Sequence, residues 1–450
     1  MAKRATVAIV GRPNVGKSAL FNRVLHRREA VVHDTSGVTR DRHYGATSWN
    51  GRPFYVVDTG GLLPRAHEGM EALVRESALV ALDEADLLLL VVDVQAGITD
   101  LDEELARLVQ RRRKPVVLVA NKSEGAAGPS LAAECWKLGL GEPMAISALH
   151  GTGVGDLLDA VIERLPANLS TQPESDADLR VAIVGRPNVG KSSLVNALLG
   201  EERALVSPDP GTTRDSIDSR LRWNRNTIDL IDTAGIRRRA RMSDAVDVFS
   251  ALRALRSIER ADVCILMLDA SEKNTQQDTR IAGRIHKAGK GIVACYNKWD
   301  LVEKDARTID EYTRDFHEEF AFVRYAPLLF ISARSHQRIH KPLELAWMVG
   351  EARAREVTTT QVNRVLEEAF QRRPPHYHRG GSGNVKYGCQ VAVKPPRFAI
   401  YVNNPVYFER AYIRYLNNAL RSAFGFPGTA LRLELRPSPG GRAAAAAEAS

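Results

Sequence analysis

Two identical octapeptides, G-R-P-N-V-G-K-S, carry the most distinctive chemistry of this sequence. The pattern G-x-x-x-x-G-K-[ST] lets backbone N–H groups wrap a phosphate chain, sets a lysine on the β- and γ-phosphates and offers a hydroxyl to Mg²⁺. One match could be a glycine-rich turn, but two identical matches between a strand and a helix predict two phosphate-binding loops. Their residues are Gly11, Arg12, Pro13, Asn14, Val15, Gly16, Lys17 and Ser18, and Gly185, Arg186, Pro187, Asn188, Val189, Gly190, Lys191 and Ser192.

A second motif follows each loop. Asp58 and Asp232 each open a D-T-[GA]-G sequence after an apolar run. An aspartate at a strand end, followed by a glycine hinge, suits a Mg²⁺ contact and a loop that senses the γ-phosphate. The two segments predicted to contact the nucleotide are Asp58, Thr59, Gly60, Gly61 and Leu62, and Asp232, Thr233, Ala234, Gly235 and Ile236.

A T-R-D sequence lies between these two motifs in both copies. Thr39 and Thr213 either close on Mg²⁺ and the γ-phosphate or belong to a solvated polar loop. The predicted Mg²⁺ ligands are Ser18, Thr39 and Asp58 in the first copy, and Ser192, Thr213 and Asp232 in the second. The predicted catalytic residues are Lys17, Thr39 and Gly61, and Lys191, Thr213 and Gly235.

A third pair of motifs predicts which base is bound. N-K-S-E and N-K-W-D follow apolar strands, and their final carboxylate can accept hydrogen bonds from N1–H and N2–H₂ of guanine. Adenine has no such pair of donors, so the motif selects guanine. Glu124 replaces the aspartate in the first copy, and its extra methylene puts the affinity of that site in question more than its base preference. An S-A sequence further along each copy is predicted to complete the pocket through a backbone N–H at the guanine O6. The predicted pocket residues are Asn121, Lys122, Ser123, Glu124, Ser147 and Ala148, and Asn297, Lys298, Trp299, Asp300, Ser332 and Ala333.

The same offset relates all the early motifs, because Val7–Ser18 recurs as Val181–Ser192, 174 positions later. The chain is therefore expected to hold two homologous domains, 1–165 and 180–350, joined by a polar linker at 166–179. A third segment, 351–436, is not repeated. The low-complexity tail 437–450 is expected to be disordered.

Short apolar strands alternate with amphipathic stretches in each copy. This alternation predicts βαβ units and an α/β fold, with a doubly wound, mostly parallel sheet in each repeat. Ligands of such sheets bind outside the carboxyl ends of the strands. In the first copy we predict strands Val7–Val10, Pro53–Asp58, Leu87–Asp93, Val116–Ala120 and Met144–Ile146, and helices Ala19–Leu25, Glu71–Leu82 and Leu101–Arg111.

The third segment is predicted to be a small α/β domain with one sheet. Its expected elements are helix Gln361–Arg372, strands Val385–Val393 and Arg397–Val402, helix Val406–Phe424 and strand Thr429–Leu435. Residues 425–428 spell the G-x-x-G of RNA-binding loops, but between a helix and a strand, so Gly425 is interpreted as a left-handed helix cap. Five tyrosines interleave with basic residues and either stack on RNA or fill the core. They are Tyr387, Tyr401, Tyr407, Tyr412 and Tyr415.

Composition limits the class of protein. The 450 residues are 44% hydrophobic and 26% charged, which excludes a disordered or fibrous chain. No apolar run approaches the ~20 residues of a membrane span, and the four cysteines are scattered, so we expect a cytoplasmic protein without disulfides. The net charge is +9, and residues 356–450 hold 13 Lys and Arg against 6 Glu. This basic segment is either a solvated surface or a partner for the phosphate backbone of RNA or DNA.

The order of these motifs resembles that of the five characteristic sequence motifs of GTPase domains, present twice. Two such domains before one small domain resemble the Der (EngA) family of bacterial ribosome-biogenesis GTPases, in the Era-like (TrmE-Era-EngA) group. The resemblance covers the chain up to Arg436. It implies a KH-like C-terminal domain, two sites for GTP or GDP with Mg²⁺, and assembly of the large (50S) ribosomal subunit with rRNA as partner. We expect a monomer that makes no membrane contact.

Intrinsic hydrolysis is predicted to be slow, or its catalytic group must come from elsewhere. Ras-type enzymes orient the attacking water with a glutamine directly after D-x-x-G, but here that position holds Leu62 or Ile236, which cannot bond water. The resemblance implies that Asn14 and Asn188 bind a K⁺ ion that bridges the phosphates, although an asparagine there could instead cap the loop.

Two other functions remain open. The chain could be an RNA-binding assembly scaffold whose G domains sense nucleotide with negligible turnover, or a GTPase of tRNA modification or membrane trafficking. The lack of a lipidation motif or a catalytic cysteine disfavours the last of these. The basic run Arg237–Arg241 is either a solvated face or a surface that docks on RNA or a neighbouring domain.

Overall fold

The computed structural model describes residues 4–26, 44–59, 70–112, 114–125, 128–166, 177–200, 218–224, 226–233, 247–377 and 381–438. The chain divides into two compact units. One comprises Met1–Asp176 with Arg241–Arg253, and the other comprises Ala177–Ala240 with Ala254–Ser450. The first repeat therefore belongs to one unit, and most of the second repeat shares the other with the C-terminal segment.

The first repeat is an α/β fold around a six-stranded sheet of order β2-β3-β1-β4-β5-β6. All pairs are parallel except β2 with β3, which is antiparallel. Its elements are β1 Ala5–Val10, α1 Lys17–His26, β2 Tyr44–Trp49, β3 Arg52–Asp58, α2 Met70–Glu84, β4 Leu87–Asp93, α3 Asp100–Arg112, β5 Val116–Asn121, α4 Gly128–Ala133, a 3₁₀ turn Glu134–Leu138, β6 Met144–Ala145 and α5 Val154–Arg164.

Burial explains why the central strands were predictable. Every residue of β1 and β4 is buried, as expected for parallel strands with helices on both faces of the sheet. The antiparallel edge strand β2 was missed because its sequence, Y-G-A-T-S-W, has no apolar run. The carboxyl ends of β1, β3, β5 and β6 lead into the motifs described above, so the sheet brings those motifs to one edge.

The second repeat has the same topology, with sheet order β8-β9-β7-β10-β11-β12. Its only antiparallel pair among the described strands is β8 with β9. Its elements are β7 Leu179–Val184, α6 Lys191–Gly200, β8 Ser219–Trp223, β9 Asn226–Ile231, α7 Asp247–Arg260, β10 Val263–Asp269, α8 Gln276–Lys287, β11 Gly291–Asn297, 3₁₀ turns Trp299–Leu301 and Ala321–Val323, α9 Thr308–Glu319, β12 Leu328–Phe330 and α10 Lys341–Ala354.

The C-terminal segment forms a three-stranded sheet in which β13 and β14 are antiparallel and β14 and β15 are parallel. Two helices pack on one face, around a core that includes Phe398, Ile400 and Leu416. The elements are α11 Thr359–Arg372, β13 Val385–Ala392, β14 Arg397–Val402, a 3₁₀ turn Pro405–Tyr407, α12 Arg410–Phe424 and β15 Arg432–Pro437.

Two boundaries predicted for this segment are wrong. The long helix begins at Arg410 rather than Val406, because Asn404 caps a 3₁₀ turn and the next residues are extended. The last strand begins at Arg432 rather than Thr429. Gly425 ends the helix with a positive φ of 83°, but its ψ of −90° lies outside the left-handed helical region that we predicted.

Some of the tyrosines of this segment fill its core, as one of the two alternatives predicts. Tyr412 is buried in the core, and Tyr415 packs against the same cluster. Tyr387 is 39% exposed, and its ring stacks on that of Tyr401 with centroids 4.3 Å apart.

Backbone hydrogen bonds join this segment to the second repeat within their shared unit. The N–H of Ile292 in β11 donates to the carbonyl of Gly428 (2.7 Å), and the N–H of Gly428 donates to the carbonyl of Tyr325 (2.8 Å). The Arg421 guanidinium lies 4.4 Å from the centre of the Tyr325 ring. No described helix is long and apolar enough to span a bilayer.

Candidate functional site

The two phosphate-binding loops have the same backbone conformation, each between a central strand and a helix. In the first loop, Gly11 has φ 152° and Gly16 has φ 98°; in the second, Gly185 has φ 155° and Gly190 has φ 93°. A Cβ on Gly16 would lie 2.2 Å from the Asn121 side chain, so no larger residue fits there. These paired values support a rigid loop that is built the same way twice.

Asn14 and Asn188 both have φ 63°, in the left-handed region. Asparagine tolerates this region better than most residues, which gives a backbone reason for its presence in both loops. This reason is independent of any cation, so K⁺ binding stays a prediction.

The loop lysines are held by the loops themselves. Nζ of Lys17 donates to the carbonyls of Gly11 (2.8 Å) and Arg12 (2.6 Å). Nζ of Lys191 makes the same bonds to Gly185 (2.8 Å) and Arg186 (2.5 Å). Lys17 is only 5% exposed, and burial lowers its pKa to about 8. An anion that enters the loop would therefore meet an ammonium group that is already oriented.

An all-oxygen donor pair lies beside Lys17. The Ser18 hydroxyl donates to Oδ2 of the buried Asp58 at 2.5 Å. A hydroxyl and a carboxylate are the oxygen ligands that Mg²⁺ prefers, so this pair fits the ion. Thr59 fixes the neighbouring backbone by donating to the carbonyl of Ile9 (2.8 Å).

The corresponding aspartate of the second site has different neighbours. Asp232 has φ 60°, its N–H donates to Oδ1 of Asp218 (2.9 Å), and its Oδ2 accepts from Ser257 (3.3 Å). Thr233 exchanges a hydrogen bond with Ser219 (2.7 Å). The two sites are therefore not equivalent around this motif. Eight predicted residues lie outside the described part of the chain: Thr39, Gly60, Gly61, Leu62, Thr213, Ala234, Gly235 and Ile236, as does the run Arg237–Arg241.

The asparagines of the base motifs tie three segments together. Nδ2 of Asn121 donates to the carbonyl of Val15 (2.7 Å), and its Oδ1 accepts from the N–H of Ala148 (2.9 Å). Asn297 makes the corresponding bonds to Val189 (2.8 Å) and Ala333 (2.9 Å). The phosphate loop and the two base segments are thus fixed to one buried amide at each site.

The adjoining lysines take a left-handed backbone and pair with an aspartate. Lys122 has φ 65° and contacts Asp93 at 2.6 Å, and Lys298 has φ 64° and contacts Asp269 at 2.5 Å. Burial raises the pKa of Asp93, but the Lys122 hydrogen bond and two backbone N–H groups hold that pKa below its usual value. Each lysine stem is thereby oriented along the edge of the predicted base pocket.

Both base carboxylates, Glu124 and Asp300, are exposed. A hydrogen bond from Ser332 lowers the pKa of Asp300 in the second site. Glu124 in the first site is exposed, while Ser123 donates to the carbonyl of Ala120 (2.8 Å). Ser147 and Ser332 are buried, and each hydroxyl accepts from a backbone N–H three residues later. Trp299 is buried under the second motif.

The sequence analysis missed residues that support these sites. Asp93 and Asp102 recur nine residues apart as Asp269 and Asp278, with a threonine three residues before the second aspartate in both copies. The comparison of the two repeats could have found this signal, but the phosphate and base motifs alone do not contain it.

Residues 6–122 and 180–298 each match the family described as 50S ribosome-binding GTPase, and 356–436 match the KH-domain-like C-terminal domain of EngA bacterial GTPases. The GTPase Der of Moorella thermoacetica is 51% identical over 96% of this chain and 98% of its own length. That of Caldanaerobacter subterraneus subsp. tengcongensis is 50% identical over 94% of this chain and 97% of its own. The chain belongs to the GTPase Der family.

Der membership confirms the predicted architecture of two tandem G domains and a KH-like domain. A Der chain is a GTPase: it binds guanine nucleotide with Mg²⁺ and associates with the ribosome. The GTPase of Pelotomaculum thermopropionicum, another Der protein, is 47% identical over 96% of this chain. From here the first repeat, the second repeat and the C-terminal segment are called G1, G2 and the KH-like domain.

Proposed function

We propose that this GTPase assists assembly of the large ribosomal subunit, and that its nucleotide state gates association with pre-ribosomal particles. The observation that carries this proposal is the backbone hydrogen bonding between G2 and the KH-like domain at Ile292, Gly428 and Tyr325. It attaches the basic segment directly to a strand whose carboxyl end carries the base motif of G2.

The proposed boundaries are 1–165 for G1, 166–179 for the linker, 180–350 for G2, 351–436 for the KH-like domain and 437–450 for the tail.

We propose two separate nucleotide sites, each formed by the loop, aspartate and base motifs of one G domain. Lys17 and Lys191 would bind the β- and γ-phosphates, and Ser18, Thr39 and Asp58, with Ser192, Thr213 and Asp232, would hold Mg²⁺. The ion would neutralise phosphate charge during hydrolysis. Asn121 and Asn297 would position the base segments against the loop.

The low pKa of Lys17 predicts a pH-dependent affinity at the first site. Free Lys17 loses its proton near pH 8, whereas phosphate favours the ammonium form, so binding above this pH requires proton uptake. We expect the Kd for GDP at this site to rise about tenfold between pH 7 and pH 9, and to change little below pH 7. Fluorescent GDP titrations in a Lys191→Ala background would measure it.

The control for this experiment is Lys17→Arg, because a guanidinium keeps its proton across this range. If the variant shows the same rise, the pH effect comes from the base or from another group. If the Kd for GDP does not change with pH when Lys17 is intact in the Lys191→Ala background, the assignment of Lys17 to the phosphates is contradicted.

We propose that hydrolysis is slow and stimulated by K⁺ held at Asn14 and Asn188. The apolar residue after each D-T-[GA]-G supports slow hydrolysis, and the exposed asparagine side chain in each loop supports the K⁺ site. The alternative, a scaffold with negligible turnover, is favoured by Leu62 and Ile236. Measuring kcat for each G domain in K⁺ and in Na⁺ would separate the two functions.

The test of the gating proposal is co-sedimentation of the full chain with purified ribosomal subunits. We expect binding to the large subunit with a non-hydrolysable GTP analogue and much weaker binding with GDP or without nucleotide. Salt is held constant, because contacts to RNA phosphates weaken steeply with ionic strength. The free protein, which we propose to be a cytoplasmic monomer, serves as the sedimentation control. Equal binding in all three states would overturn the gating.

A further inference from the structure

An ion pair ties the first phosphate loop to the start of α3. Arg12 directly follows the first glycine of the loop, and its Nε donates to Oδ2 of Asp102 at 3.1 Å. The same oxygen accepts from the N–H (3.1 Å) and the hydroxyl (2.9 Å) of Thr99. The Asp102 side chain is 0% exposed. A buried carboxylate this close to a helix start is stabilised by that helix and by one guanidinium.

The second G domain has a related ion pair, but Nε of Arg186 makes no hydrogen bond among the described residues. Nε of Arg186 lies 3.5 Å from Oδ2 of Asp278, whose side chain is 1% exposed. Oδ2 of Asp278 accepts from the N–H and the hydroxyl of Thr275, both at 2.9 Å. Arg186 has an additional partner, because its Nη2 donates to Oε2 of the exposed Glu272 at 2.5 Å. We call each Arg–Asp–Thr set an arginine anchor.

Capping of the helix does not explain the arginine anchor. The threonine and the aspartate satisfy each other at the helix start without any cation. In both copies, moreover, the second carboxylate oxygen is buried and has no hydrogen-bond partner among the described residues. Burying a charged carboxylate that is incompletely bonded is costly, so its occurrence in both domains calls for a gain elsewhere.

The gain lies at the phosphate-binding lysine. In each domain the arginine that pairs with the aspartate also accepts a hydrogen bond from the lysine through its backbone carbonyl. Lys17 donates to Arg12 at 2.6 Å, and Lys191 donates to Arg186 at 2.5 Å. The negative charge of Asp102 also acts on Lys17 and favours its protonated form. Carboxylate, arginine and lysine therefore form one connected series in each domain.

We propose that Asp102 and Asp278 are positioning residues for the phosphate-binding lysines, acting through Arg12 and Arg186. This inference rests on the proposed phosphate sites. The aspartate makes no contact with the nucleotide in this arrangement. It fixes the loop carbonyl from which the lysine is oriented toward the phosphates.

The test is Asp102→Asn in the full chain, with the second site silenced by Lys191→Ala. Asparagine keeps an acceptor for Thr99 and removes the charge, so α3 retains its cap. We expect GDP affinity at the first site to fall about tenfold, the size expected for a weakened charge-assisted hydrogen bond. Affinity for GMP, which lacks the β-phosphate that the lysine binds, should fall much less. Competition against fluorescent GDP measures both.

The matched control is Glu103→Gln, which removes an exposed carboxylate from the same helical turn and should leave both affinities unchanged. Arg12→Gln should reproduce the loss, and the Arg12→Gln/Asp102→Asn double variant should be no weaker than either single one. Asp278→Asn at the second site should lose only about threefold, because Glu272 still binds Arg186.

Equal losses for GDP and GMP would show a structural role only and would overturn the proposal, as would unchanged GDP affinity. The GDP affinity of Lys17→Ala distinguishes a wrong phosphate site from a wrong positioning role. If Lys17→Ala binds GDP normally, the site is misassigned; if that variant fails to bind and Asp102→Asn binds normally, only the positioning role is wrong.

Discussion

Lys17→Ala should abolish GDP and GTP binding at the first site and leave the second intact, and Lys191→Ala should do the reverse. Each lysine uses two of its three ammonium donors on loop carbonyls, which leaves the third donor for a bound phosphate. Losing this charge-assisted hydrogen bond together with the positive charge predicts about a hundredfold loss of affinity. Titration of fluorescent GDP into each variant should then show one site rather than two.

Two further variants make this experiment specific. Lys17→Met keeps the buried apolar stem and removes only the ammonium group, so it should lose affinity as Lys17→Ala does. Lys137→Ala removes an exposed lysine of the same domain and should change neither site. The phosphate assignment fails if a lysine variant still binds two equivalents of GDP with the original affinities.

The second large effect concerns the buried asparagines. We expect Asn121→Ala to destabilise G1 and Asn297→Ala to destabilise G2, in each case by about 3 kcal/mol, because two buried backbone groups lose their partners. At Asn121 these groups are the Val15 carbonyl and the Ala148 N–H. Since Val15 lies inside the phosphate loop, nucleotide affinity should fall together with stability.

Thermal unfolding with and without GDP measures both consequences. The melting temperature of the affected domain should fall by about 10 °C, and added GDP should restore little of it. Gln110→Ala is the control, because this exposed amide also donates to two backbone carbonyls, of Leu138 (2.9 Å) and Gly139 (3.2 Å). A loss for Asn121→Ala no larger than that for Gln110→Ala would show that the buried amide does not join the three segments.

The sequence predicted the central strands well because burial on both faces leaves an unbroken apolar run. Leu87–Asp93, which is buried throughout, was predicted with the observed ends. Strand β2 was not predicted, because an edge strand that pairs on one side only needs no unbroken apolar run. The start of α12 was misplaced because the turn at Asn404 depends on a side-chain cap rather than on hydrophobic spacing.

The described site residues likewise divide by the kind of signal that marks them. Residues predicted to contact the phosphates or the base belong to short motifs, and the structure brings the described ones to the same edge of each sheet. The supporting residues Asp102 and Asp278 lie on a different helix from the loop they hold, so no local pattern links them to it. The contacts of Asp232 with Asp218 and Ser257 were also not predictable, because Asp218 precedes the neighbouring strand β8 and Ser257 lies on α7, both distant in sequence from this motif.

The hydrogen bonds at Gly428 have a consequence for the order of folding. Ile292 is a fully buried residue of β11, and its N–H donates to the carbonyl of a residue made more than a hundred positions later. A Cβ on Gly428 would lie 2.2 Å from Val349 and 2.8 Å from the Ile292 carbonyl, so only a glycine permits this approach. As the chain is synthesised, the buried Ile292 N–H therefore lacks this partner until the KH-like domain has emerged. A translation product truncated before Gly428 would carry the motifs of two GTPases, with this donor of β11 left without its KH-like acceptor.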